Sequence, residues 1–78
     1  METKFINIDK EILGGTPVFN GTRVPIKNFY DYLESGENID SFLEDFESVT
    51  KEQVTKVLEM SQKLVLNATK IINENIVR

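Results

Sequence analysis

Asn20-Gly21 sits between two short β-prone runs, Val18-Phe19 and Thr22-Arg23-Val24, in a stretch holding three of the chain's four glycines and both its prolines. Asn-Gly favours the type I′ hairpin turn because both residues tolerate positive φ. Gly14-Gly15 permits a tight turn ahead of it, and Pro17 suits the opening of a first strand. Pro25 has no N–H to give a ladder, so it ends the second strand, and its fixed φ suits the start of a helix. The stretch predicts turn, hairpin and then helix, with β structure before it and helices after it. Asn20 and Gly21 are expected to be turn formers without chemistry of their own.

Phe5-Ile6-Asn7-Ile8 alternates weakly and predicts a short strand, with residues 9–13 as a connection. In the first predicted helix, 26–35, Ile26, Phe29, Tyr30 and Leu33 make one apolar stripe, and Ser35-Gly36 supplies the stop. A second helix spans about 39–46, with Asn38 as N-cap and Ile39, Phe42, Leu43 and Phe46 on its apolar face. Thr50-x-x-Gln53 is a capping box, and Val49 and Val54 are placed as a hydrophobic staple. The stripe of the third helix then runs from Val54 to Ile72. Continuous to Arg78, that helix would be roughly 40 Å long, more than two short helices can cover. Asn67, Asn73 and Asn75 weaken its far end, which leaves a break near Asn67 or a frayed tail as the alternative.

The expected architecture is mainly α: short N-terminal strands and hairpin (5–25), a three-helix helix-turn-helix unit (26–62) and a helical extension (63–78), all in one domain spanning 1–78. A core this small is marginal alone, so a homodimer is expected, joined through the N-terminal strands, the far end of the third helix, or both.

Several function classes find no support. There is no cysteine and no histidine, hence no thiolate metal site and no imidazole base. Gly14-Gly15 lacks the Walker and dinucleotide patterns. The chain reads as a non-enzyme with no catalytic residue, cofactor or metal. No run is apolar enough to span a bilayer and the N-terminus lacks a signal-peptide core, so a soluble cytoplasmic protein is expected, with no membrane partner.

The net charge of −4 is unevenly spread. Residues 29–49 hold seven carboxylates and no Lys or Arg. Such a block repels phosphate and attracts a basic partner, unless it is only a solvated helical face. Asp40, Glu44 and Glu47 fall together at helical spacing, as do Asp31 and Glu34, and these are the candidate partner-binding residues. On a DNA reading the start of the third helix enters the major groove with Lys51, Thr55 and Lys56. The competing reading is that Glu52 with Lys56, and Glu59 with Lys63, are i, i+4 pairs lacing a solvated helix. Arg23 has a structural reading, as ion-pair partner of Asp45 or Glu44, and a functional one as a phosphate contact on the hairpin.

The run Ile8-Asp9, then Ile12-Leu13-Gly14-Gly15-Thr16-Pro17-Val18-Phe19-Asn20-Gly21-Thr22-Arg23-Val24-Pro25, resembles the signature of a small bacterial family, domain of unknown function 433. Tyr32-Leu33-Glu34-Ser35-Gly36, Phe42-Leu43-Glu44-Asp45-Phe46 and Thr50 with Val57-Leu58 fit it as well, so the resemblance covers roughly residues 5–62. It departs at Asp45-Phe46-Glu47-Ser48, where the family often has a proline after the aromatic. The resemblance implies short strands before a homeodomain-like helix-turn-helix. It also implies an antitoxin encoded beside a PIN-like nuclease toxin, neutralising that toxin and autoregulating its operon. The competing expectations are a stand-alone dimeric DNA-binding transcriptional regulator and a structural adaptor.

Overall fold

A computed structural model of the protein describes residues 4–76, with side chains described through Lys70. The fold is mainly helical, with a short strand pair ahead of three helices. Strand β1 (Ile6–Asn7) pairs antiparallel with β2 (Val18–Phe19), setting Ile6 opposite Phe19 and Asn7 opposite Val18. Helices α1 (Ile26–Glu34), α2 (Ile39–Asp45) and α3 (Lys51–Ile76) follow. Positions 77–78 of the expected extension lie outside the described residues.

The glycine-rich stretch folds differently from the type I′ hairpin expected of it. Of Asn20-Gly21, only Gly21 has positive φ, at 79°. The Thr22 N–H donates to the Phe19 carbonyl at 3.0 Å, so Phe19–Thr22 is a turn with Gly at its third position, the type II pattern. Residues 22–24 do not form the expected second strand. The Thr22 hydroxyl donates back to the Phe19 carbonyl and accepts from the Val24 N–H, which folds the segment on itself. What remains of the pairing is a bridge between Val18 and Pro25, with the Phe19 N–H donating to the Val24 carbonyl and the Ile26 N–H to the Pro17 carbonyl, each at 3.0 Å. Upstream, Leu13, Gly14 and Gly15 take successive positive φ values of 49°, 66° and 93°, a left-handed turn that brings β2 back against β1.

The helices follow their sequence signals closely. Pro25 caps α1, whose stripe of Ile26, Phe29, Tyr30 and Leu33 turns inward with Phe29 fully buried. The Asn38 side chain accepts from the Ser41 N–H at 2.8 Å and caps α2. The capping box of α3 closes in both directions: Gln53 N–H donates to the Thr50 hydroxyl at 3.1 Å, and Thr50 N–H donates to the Gln53 side-chain oxygen at 3.0 Å. Both staple residues, Val49 and Val54, are buried.

Phe19, Phe29 and Phe42 form the centre of the core, with ring centroids 5.2–6.4 Å apart and near-edge-on or tilted contacts. Tyr32 and Phe46 extend this aromatic cluster from Phe42. Val49, just ahead of α3, and Val54 and Val57 on it seal the cluster. Each ring pair adds about 0.5–1.5 kcal/mol beyond its buried area, so the strand, α1 and α2 are held at one point.

α3 runs unbroken through Asn67, so the alternative of a break there is set aside. The hydroxyls of Tyr30 on α1 and Ser61 on α3 hydrogen-bond to each other. Beyond Ser61 every described side chain of α3, from Gln62 to Lys70, is exposed. The molecule is a compact head from which this helix projects, and its longest extent is 47 Å against 30 and 19 Å.

Candidate functional site

The connection from α1 to α2 is fixed by its own hydrogen bonds. Gly36, at φ 91°, turns the chain; its N–H donates to the Leu33 carbonyl, and the Glu37 N–H donates to the Tyr32 carbonyl at 2.9 Å. The Ser35 hydroxyl donates to the same Tyr32 carbonyl. With Asn38 capping α2, this loop holds a shallow groove of about 570 Å³ against the start of α3, lined by Leu33, Glu37, Asn38, Ile39, Asp40 and Lys51. Leu33 and Ile39 are the half-buried ends of two helical stripes and give the groove an apolar floor. Glu37 and Asp40 are exposed carboxylates on its rim. An apolar side chain flanked by positive charge is the chemistry this groove complements.

The expected acidic residues do not all remain available. Asp31 is held by Lys27, with Nζ–O distances of 2.9 and 3.1 Å. That hydrogen bond, with the charge of Asp31, raises the Lys27 pKa above its ordinary value. Asp45 accepts from the Tyr32 hydroxyl at 2.6 Å. This bond, reinforced by burial and by the carboxylate charge, pushes the Tyr32 phenol up from its ordinary value. Among the described residues Glu34, Asp40, Glu44 and Glu47 are exposed and make no ion pair.

Arg23 does not take the ion-pair role expected of it. It is exposed and, among the described residues, pairs with neither Asp45 nor Glu44. Tyr32, packed against Phe42 and Phe46, takes Asp45 instead.

The three candidate DNA contacts are all exposed on the first turns of α3, yet their surroundings differ. Lys51 shares the groove with Glu37 and Asp40, so phosphate there would meet two carboxylates. Lys56 lies 3.6 Å from Glu59, at i, i+3, in place of the expected pairing with Glu52. Its ammonium also sits 5.9 Å from the Phe5 ring centroid, a cation–π contact that draws it toward the N-terminal strand. Thr55 is exposed with no described side-chain partner.

Sequence reasoning places Glu37 in the acidic block but does not join it to Leu33 and Ile39 in one surface. The available signal was that Leu33 and Ile39 end and begin consecutive apolar stripes around a Gly36 turn. Sequence reasoning gives Asn20 only the role of a turn former. The Asn20 N–H donates to the Phe5 carbonyl at 2.9 Å, its side-chain amide lies 3.4 Å from the Lys4 carbonyl, and its own carbonyl accepts from Gln53 at 2.7 Å. Asn20 therefore ties β1, the turn and α3 together. No three ligating side chains converge among the described residues as a metal ion would require. No helix among them is long and apolar enough to cross a membrane.

A family model described as "Protein of unknown function (DUF433)" matches residues 6–59. A protein of Sinorhizobium fredii named "Uncharacterized protein y4eO" is 33% identical over 51 residues, covering 65% of this chain and 23% of the relative. The chain thus spans less than a quarter of that relative's length. No solved structure matches. Strands, groove, aromatic core and capping box all fall within the family match, whereas the projecting part of α3 beyond Ser61 falls outside it.

Proposed function

The chain belongs to the family of unknown function DUF433, and from that premise we propose that it is an antitoxin-like binding protein that neutralises a basic, PIN-like nuclease by occlusion. The observation that carries this reading is the groove between α1, α2 and α3: an apolar floor of Leu33 and Ile39 with Glu37 and Asp40 on its rim. Glu34, Glu44 and Glu47 add unpaired carboxylates to the same acidic head. Nucleases present basic clefts to the phosphates of their substrate. Carboxylates on a rigid head can occupy such a cleft, steering association from a distance and leaving Leu33 and Ile39 to exclude water on contact.

The test is association with a PIN-like nuclease encoded next to this chain. Asp40→Lys with Glu44→Lys leaves the fold intact, because exposed charges contribute little stability. The reversed variant should associate roughly tenfold or more slowly at low salt, with a flatter dependence on ionic strength. Equal association rates for variant and parent would reduce the acidic face to a solvated surface.

Autoregulation through α3 is the second reading, favoured by the exposure of Lys51 and Thr55 on the first turns of a long capped helix. It stands behind the first because Lys51 shares its groove with two carboxylates and Lys56 is drawn onto Phe5 and Glu59.

A further inference from the structure

The inward face of α3 does not stop where the head stops. Val54, Val57, Ser61, Leu64, Ala68 and Ile71 recur at alternating intervals of three and four residues, the heptad spacing of a helix that lies along another helix. The first three are covered within the chain: Val54 and Val57 are buried and Ser61 meets Tyr30. The next two, Leu64 and Ala68, are exposed, and so is Val65 beside them; Leu64 is 64% and Val65 62% accessible. The same face is therefore core on one half of the helix and bare on the other. Leu66, also exposed, lies off this stripe.

We propose that the projecting arm of α3 is the surface on which two copies of this chain pair, arm against arm and antiparallel, crossing near Ala68. Three observations select a second copy as the occupant. The first is the margins of the stripe. In that spacing Val65 and Ile72 flank the stripe on one side and Asn67 and Glu74 on the other. Only Glu74 among these is charged, and antiparallel pairing about Ala68 sets its position across from that of Gln62, so the margins do not repel an identical helix. The second is the alternation of small and large. Ala68 falls between Leu64 and Ile71, so two such helices can approach closely where they cross.

The third is the charge of the head. Seven carboxylates in residues 29–49 would be brought side by side by parallel arms. Antiparallel arms place the heads at opposite ends, separated by about 20 Å of helix, beyond the screening length at physiological salt. Leu64, Val65 and Ala68, continued in the sequence by Ile71 and Ile72, would bury on the order of 1,000 Å² between two copies, the low end for a specific interface. A dimer of micromolar affinity is the expected strength. Pairing on the arm leaves the groove of each head open, so it is independent of nuclease binding.

Sedimentation equilibrium of the full chain should show a species of twice the 9.0 kDa chain mass, dissociating in the micromolar range. Leu64→Glu with Val65→Glu should give a monomer whose melting temperature, measured well below the parent's dissociation constant, matches that of the parent, whereas Leu66→Glu should remain a dimer. Because the chain has no cysteine, orientation can be read by introduced thiols. Ala68→Cys should crosslink readily and Leu64→Cys at least tenfold less. A monomeric parent at hundred-micromolar concentration overturns the proposal, as does a dimer that survives the double glutamate change. Equal crosslinking at both positions overturns the antiparallel arrangement.

Discussion

The side-chain amide of Gln53 donates to the backbone carbonyl of Asn20 at 2.7 Å, joining the first turn of α3 to the turn after β2 across 33 residues. The oxygen of the same amide accepts from the Thr50 N–H and closes the capping box. One side chain thus starts the longest helix and fixes it to the strand pair.

The two ends of that amide can be separated. Gln53→Glu keeps an acceptor for Thr50 but sets a carboxylate against the Asn20 carbonyl, and should cost about 1–3 kcal/mol. Thr50→Ala removes the other half of the cap and should cost about 1 kcal/mol. Urea denaturation of both variants measures the difference. A Gln53→Glu variant as stable as the parent would remove the long-range role.

Leu13 has φ 49° and is 44% exposed. A leucine in the left-handed region is strained and here packs little. Leu13→Asn should therefore raise stability by about 0.5–1 kcal/mol. Gly14→Ala and Gly15→Ala should lower it by about 1 kcal/mol or more, on conformational grounds alone, since an added Cβ meets nothing within 4 Å at either position. Thermal melts followed by circular dichroism decide both.

Phe42 touches Phe19, Phe29, Tyr32 and Phe46 and is fully buried. Phe42→Ala should cost about 3–5 kcal/mol. For a domain this small that approaches the whole stability, at about 0.05–0.15 kcal/mol per residue. Loss of the cooperative melt is the expected readout. Leu66→Ala, on the exposed arm, should change stability by less than about 0.5 kcal/mol.

The raised Tyr32 phenol makes a pH prediction. A group whose folded pKa lies above its unfolded value contributes stability that is complete below the unfolded value, near pH 10 for tyrosine. That contribution is lost as pH rises through the folded value. Stability should therefore fall in alkaline solution more steeply for the parent than for Tyr32→Phe, which lacks the hydrogen bond to Asp45. Tyrosinate absorbance should show a late-titrating phenol in the parent that Tyr32→Phe removes.

Duplex binding by α3 should be weak at low salt and absent after Lys51→Glu with Lys56→Glu. Each lost phosphate contact should lower the salt slope by about one. Titration with promoter DNA measures both, and no binding at low salt removes autoregulation through this helix.

What the sequence revealed of this fold was local. Asn38 at its cap, Thr50 with Gln53, and the stripes around Phe29 and Phe42 follow from neighbours three and four residues away. The turn at Asn20-Gly21 went differently because Asn20 answers to distant groups, the Phe5 carbonyl and Gln53, which no local propensity encodes. Thr22 likewise spends its hydroxyl on Phe19 and Val24 instead of extending a strand. In the site, the carboxylates were visible as an acidic block, but not that Lys27 and Tyr32 would occupy Asp31 and Asp45. Those pairings depend on which faces of α1 and α2 meet.

The helix that is half core and half arm also reports two free energies at once. Amide hydrogens near Val54 and Val57 can exchange with solvent only when the head opens, so they track global unfolding. Those beyond Ser61 need only local fraying of an uncovered helix, and their exchange should quicken toward the far end. Along one uninterrupted element the opening cost falls from that of the whole domain toward zero. A companion that lies on the arm would appear as protection gained there with the inner half unmoved, and a protease could remove the arm while leaving the aromatic core intact.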